Sequence, residues 1–288
     1  MKIRMILLFF IYLLLTTHYS LFAYSPGKNS FSFLKIPVSA RISASNGGSV
    51  LAEGRDAWYK NPAALAFKIE SNFEFSRNAW FLHTYMNTVS FNRWHFGLRL
   101  SQYSISDKER DLSGFPVSEF ENRYSVLNFS YGFKLKRYTG FGITYKKISQ
   151  KIYHENYNHS AFDFGLLLLP NIRTSIGIVL CNFGSKKKFL EVKEALPTEF
   201  LFGVRYKMGR FFISSEAKYN PDEKMLYLLG LEFKKTKNFT LRIGSSYQDD
   251  LNISFGIGLE EENYFLDIAF LPNGTFDYSL ITSAGLRF

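Results

Sequence analysis

From about residue 69 onward, apolar and polar positions alternate one for one. Ile253, Phe255, Ile257 and Leu259 are interleaved with Asn252, Ser254, Gly256, Gly258 and Glu260. Phe200, Phe202, Val204 and Tyr206 alternate with Leu201, Gly203, Arg205 and Lys207. Phe239, Leu241, Ile243 and Tyr247 do so with Thr240, Arg242, Gly244, Ser246 and Gln248. Successive side chains on a strand point to opposite faces, so each run has one apolar and one polar face. An amphipathic helix would space its apolar residues three and four apart.

The pattern predicts strands over 69–79, 83–92, 94–104, 123–136, 139–150, 160–169, 172–183, 198–207, 210–219, 225–234, 239–248, 251–260, 263–271 and 276–288. That makes about fourteen, with twelve or sixteen left open, each long enough to cross a bilayer when tilted. The last run ends on Tyr278, Leu280, Thr282, Ala284, Leu286 and Phe288, a face resembling the closing strand of an outer-membrane barrel. Tyr278, Leu286 and Phe288 are therefore the candidates for barrel assembly and closure.

Every second connection is very short, around Arg93, Lys136-Arg137, Pro170-Asn171, Met208-Gly209, 235–238 and 260–262. Longer polar connections are expected at 105–122, 151–158 and 184–197. Short periplasmic turns opposite longer outer loops are the habit of bilayer barrels. An even strand count then places both termini in the periplasm. The expected fold is all-β, a transmembrane antiparallel β-barrel in the bacterial outer membrane.

The amino-terminal end carries an address. Lys2 and Arg4 precede an apolar run from Met5 to Leu15, and a small residue, Ala23, follows at a plausible cut site. This reads as a secretory signal peptide over 1–23, too short to span as a helix. Residues 24–68 fit no spanning strand and are expected to fold back as a hatch, filling a lumen that side chains alone cannot fill. The barrel itself occupies 69–288.

Composition agrees with a lipid-facing wall, since the chain has 31 Phe and 18 Tyr and aromatics favour strands and bilayer interfaces. The formal charge of +10 sits in connections such as Lys186-Lys187-Lys188 and Lys234-Lys235, without stacking aromatics. That excludes nucleic acid as the expected partner and fits solvated loops and anionic lipid head groups. The single cysteine, Cys181, is expected to be a packed, inert thiol.

Phe33-Leu34-Lys35-Ile36-Pro37, Ala40-Arg41, Gly47-Gly48, Asp56, Tyr59 and Asn61-Pro62-Ala63-Ala64-Leu65 stand in the hatch. Asp163-Phe164-Gly165, Ile176-Gly177, Asn182-Phe183-Gly184, Leu196-Pro197 and Gly285-Leu286-Arg287-Phe288 follow in the barrel. With these residues the chain resembles the PorV/PorQ family, itself similar to the FadL long-chain fatty-acid transporters. The resemblance implies a fourteen-strand barrel with an amino-terminal hatch, in which the Asn-Pro-Ala element lies beside a ligand route. Asn61, Pro62 and Ala63 are the candidate residues of that route, or else a turn that shapes the hatch.

No P-loop, dinucleotide fingerprint or nucleophile elbow is present. His154 and His159 are one residue too far apart for a zinc-protease helix, and nothing positions His83 or His95. No enzyme activity, metal or cofactor is expected. The resemblance implies an accessory of type IX protein secretion, with secretion-system components or secreted cargo as partners. The alternative is a FadL-like transporter whose partner is a hydrophobic small molecule such as a long-chain fatty acid. Either way the chain is expected to meet outer-membrane lipid and the barrel-assembly machinery.

Overall fold

The computed structural model describes residues 31–50, 54–67, 70–79, 84–111, 113–153, 155–185, 187–189, 192–272 and 278–288. The expected signal peptide, His83 and His154 lie outside the described residues. The first seven strands are β1 (Asn72–Ala79), β2 (Tyr85–Arg93), β3 (Phe96–Arg110), β4 (Pro116–Lys136), β5 (Thr139–Ile152), β6 (Glu155–Asn171) and β7 (Thr174–Phe183). A small separate hairpin follows, β8 (Lys187–Phe189) and β9 (Val192–Glu194). The wall resumes with β10 (Glu199–Met208), β11 (Phe211–Tyr219), β12 (Leu226–Lys234), β13 (Phe239–Tyr247), β14 (Leu251–Glu260), β15 (Tyr264–Pro272) and β16 (Tyr278–Arg287).

Fourteen of these strands form one closed antiparallel barrel, each pairing with its neighbour in sequence across short turns or, from β7 to β10, around the small hairpin. The seam is β1 against β16, running from Asn72 opposite Arg287 to Ala79 opposite Leu280. Closure leaves no edge strand, which is what allows a sheet to sit in hydrocarbon.

The two faces follow the sequence period. Phe75, Phe202 and Phe255 point outward and are 45–47% exposed, while Ser76, Ser254 and Ser283 point inward and are 5% exposed or less. The outward row carries large apolar side chains on nearly every strand, far more continuous apolar surface than a soluble monomer tolerates. Lipid is the solvent that this surface fits.

Two of the expected loops turn out to be largely strand. Residues 105–110 and 116–122 are strand, paired from Ile105 opposite Asn122 to Arg110 opposite Pro116. β5 and β6 likewise continue to Ile152 opposite Glu155. Strand β4 has 21 residues, so it runs about 70 Å, whereas about ten residues suffice to cross a bilayer. The polar composition of 105–122 signals departure from lipid, which does not require departure from strand pairing. β3 to β6 thus project well past the membrane as a hydrogen-bonded sheet.

Candidate functional site: a lumenal chamber above a plug

Residues 31–50 and 54–67 lie within the barrel as a chain of short turns of helix. They comprise Ser32–Lys35, the α-helical α1 (Ala40–Ser45), Gly48–Val50, Ala57–Tyr59 and Pro62–Ala66. Local chemistry sets the breaks. Ser39 caps α1 by accepting from the Ile42 amide at 3.3 Å, and Asn46 ends it in the left-handed region at φ 47°. Such a conformation suits Asn better than most residues.

The plug is seated against glycine. Inward-facing glycines stand on β3 to β7, β10 and β12 to β14, including Gly97, Gly142, Gly177, Gly230 and Gly256. A methyl group placed on any of these five would come within 3.0 Å of Trp58, Pro62, Ser49, Ser45 or Ala44 respectively. Gly97, Gly142 and Gly177 lie within four residues of the short-turn end of their strands, whereas Gly230 and Gly256 stand near mid-strand, so the close packing runs from that end to the middle of the lumen. Backbone meets backbone there because no side chain stands between.

A buried charge network completes the seat. Glu232 on β12 lies directly opposite Arg242 on β13. Arg242 donates to Glu232 at 3.3 Å and to Asp267 on β15 at 2.6 Å, and Arg205 on β10 donates to Glu232 at 2.9 Å. Into this wall array the plug inserts Arg41, 3.6 Å from Glu232 and 3.1 Å from Asp56. Arg55 pairs with Asp267 and, at 3.0 Å, with Glu260. Asp56 also accepts from the Ser39 hydroxyl. Burial alone would raise the Asp56 carboxyl, but Arg41 and Arg55 outweigh it and hold the group below its ordinary 3.8.

Asn61, Pro62 and Ala63 sit at the junction of plug and wall. Asn61 Oδ1 accepts from the Ala63 amide at 3.0 Å, and its Nδ2 donates to the carbonyls of Ser49 at 2.8 Å and Leu166 at 3.2 Å. Pro62 opens the last helical turn, where its missing donor costs nothing. All three residues are fully buried, and the chamber described next is lined by their neighbours Tyr59 and Lys60 instead. His95, for which the sequence offered no role, has Nδ1 2.9 Å from the Leu65 carbonyl.

Plug and wall enclose between them a cavity of about 270 Å³. Its apolar lining comes from Leu34, Ile36, Pro37 and Val38 of the plug and Leu201, Leu226 and Leu228 of the wall. Charged groups are interleaved with these, Lys218 standing opposite Leu201 and Leu226, and Glu216 opposite Leu228. Lys146 pairs with Asp163 at 2.8 Å and Lys218 with Glu199 at 3.0 Å, while Glu216 accepts from the Ser49 amide at 2.9 Å. Lys60 lines the chamber from the plug with no hydrogen-bond or ion-pair partner among the described residues. Cys181 is buried at the same level with Val179 and Leu201. Among the described residues no group of His, Cys, Asp and Glu is arranged to hold a metal.

At the seam, Leu286 is opposite Phe73 and Tyr264. Phe288 donates its amide to the Ser71 carbonyl at 3.2 Å and stacks on Phe91 with ring centroids 6.0 Å apart. Tyr278 pairs with Pro272 at the other end of β16.

No protein-family model matches this chain, and no curated protein matches it. Solved structures do. The Pseudomonas putida toluene transporter TodX aligns over 94% of this chain and 98% of its own, at 12% identity and a TM-score of 0.58. The monoaromatic hydrocarbon channel CymD aligns over 90% and 97%, at 10% identity and 0.58. A Pseudomonas aeruginosa FadL homologue aligns over 92% and 98%, at 11% identity and 0.57. The fold is that of the FadL-type outer-membrane barrels. None of these neighbours bears on the finer resemblance to PorV/PorQ.

The glycine seat and the charge network went unread in the sequence. A signal for each was there: glycines recurring on the polar face of successive strands, and opposite charges on the same face of β12 and β13.

Proposed function

We propose that this chain is an outer-membrane transporter for small hydrophobic molecules, with both termini on the periplasmic side and no chemistry performed on the solute. The observation that carries the reading is the partly apolar chamber enclosed between a wall-locked plug and the wall of a barrel of FadL type. A cavity of about 150 Å³ can hold a benzene ring, so the 270 Å³ chamber suits one aromatic ring or a short alkyl chain. The toluene transporter and the monoaromatic hydrocarbon channel among the structural neighbours support the same size class. The Asn61-Pro62-Ala63 junction joins the chamber floor to β5 and β6, so displacement of the plug at this point would open a route downward.

The test is uptake of labelled toluene and of labelled oleate by cells lacking their own such channels and producing this protein. Toluene uptake is expected to rise and to fall back when Leu228→Trp fills the chamber. No increase above the empty host, or full uptake with the filled chamber, would overturn the reading.

A second reading, an accessory of type IX protein export, keeps one structural observation in its favour. The projecting β3–β6 sheet offers a larger outer surface than short loops would. Unchanged secretion after deletion of the protein, in a strain that has the export machinery, would exclude it.

A further inference from the structure

The charges at the two ends of the barrel are organised differently. At the projecting end they pair: Lys108 with Glu119 at 3.0 Å, Arg123 with Glu121 at 2.8 Å, and Lys224 with Asp249. At the short-turn end the first five turns in chain order are basic. Arg93 is the last residue of β2, Lys136 is the last of β4 with Arg137 following it, and Arg173 lies between β6 and β7. Arg210 follows between β10 and β11, and Lys235 between β12 and β13. All six side chains are exposed, and none forms an ion pair among the described residues. Only the sixth turn, at Glu261 and Glu262, is acidic.

A second observation fixes the level of these cations. Large outward-facing aromatics line the same rim, among them Trp94, Phe96, Tyr138 and Phe288, each more than half exposed. Such a girdle marks the boundary between hydrocarbon and head groups. Two of the cations lie on it, Arg93 4.7 Å from the Trp94 ring and Arg137 5.1 Å from the Tyr138 ring. Their guanidinium groups therefore lie on the aromatic girdle itself, at the boundary between hydrocarbon and head groups. Unpaired cations on five neighbouring turns, at that depth, complement a layer of negative charge spread around the barrel. A soluble partner docking at one point would match them less well.

We propose that the short-turn rim binds the head groups of anionic glycerophospholipids in the leaflet it faces. The rim so acts as an annular docking surface that sets the depth and orientation of the barrel. This follows from the membrane-spanning fold and does not depend on what the lumen transports.

The experiment places the intact protein in bilayers of equal parts phosphatidylcholine and phosphatidylglycerol, then measures the lipids retained after gentle extraction by native mass spectrometry. Wild type is compared with R93Q/K136Q/R137Q/R173Q/R210Q/K235Q, whose folding is checked by heat-modifiable mobility on gels. Retained phosphatidylglycerol is expected to exceed phosphatidylcholine about fivefold or more in wild type. The preference is expected to fall towards parity in the variant and in high salt. An equal preference in a correctly folded variant, no preference in wild type, or displacement of the phospholipid by added lipopolysaccharide would each overturn the proposal. If the six-fold variant does not fold, the paired variants R93Q/R137Q and R173Q/R210Q are measured in its place. A preference undiminished in both would count against it equally.

Discussion

A single residue step along a strand of this barrel exchanges lipid for packed protein. Phe255 is 47% exposed on the outer face, whereas Ser254 is buried and donates its hydroxyl to the Ala44 carbonyl at 3.2 Å. Phe255→Arg is expected to destabilise the barrel by about 2–4 kcal/mol if the residue lies near mid-bilayer. The sequence pattern alone suggests that the same change at Ser254 or Gly256 would be milder, because a polar lumen could hydrate the charge. The plug overturns that expectation, since Ala44 occupies the space above Gly256. Gly256→Arg is expected to leave the barrel formed but dislodge the plug. Urea titration would show the first effect, and protease cleavage within 31–67 the second.

Gly142 gives the cleaner form of this test, because its contact is with the Pro62 backbone, not the end of a flexible side chain. Gly142→Leu is expected to expose the plug to protease while heat-modifiable mobility stays that of a closed barrel. Asp56 tests the charged part of the seat. Replacing it with Asn leaves Arg41 and Arg55 short of a buried partner, a change that costs about 3–5 kcal/mol, here drawn from plug docking. A carboxyl lowered on folding contributes stability that is whole above its ordinary value and is lost as pH falls through the lowered one. Plug protection is therefore expected to be unchanged down to about pH 4 and to weaken below it, earlier in the wild type than in D56N, which has no such carboxyl to titrate.

Among the elements, the strands were legible because their information is local: a period of two, repeated between turns. The start of β5 and the ends of β12 and β14 stand where the alternation put them, at Thr139, Lys234 and Glu260. What escaped was set by partners distant in the chain. Residues 105–122 read as loop because their outward positions turn polar, as in Ser106 and Glu121, yet those two residues are opposite each other in a continuous ladder. The seat of the plug escaped for a similar reason. Gly230 and Glu232 on one strand look like ordinary lumenal positions until Ser45 and Arg41 are brought against them. Asn61 stood out in the sequence only as part of an Asn-Pro-Ala element, and its partners, Ser49 and Leu166, belong to no local motif. Because the projecting part of β3 and β4 lies beyond the apolar girdle, removing residues 107–119 with a two-residue turn in their place is expected to leave the unfolding midpoint within a few degrees of wild type. A collapse of the barrel on that deletion would mean that the hairpin supports the wall.

The whole molecule is a lipid-embedded cylinder stoppered by its own residues 31–50 and 54–67, from Trp58 against Gly97 near the short turns to Phe31 and Phe33 against Tyr103 and Ile148 towards the projecting end. Glycines on nine strands and a buried network shared between plug and wall hold the stopper, while the chamber between the two remains partly apolar and of single-ring size. Side chains alone do not fill a cylinder of fourteen strands, so the stopper decides whether water and ions pass. Conductance across a planar bilayer measures this directly, comparing the wild-type protein with a variant from which residues 31–67 have been removed. Wild type is expected to stay closed or nearly so, and the deletion to open a large, ohmic pore. Equal conductance from the two proteins would contradict the account.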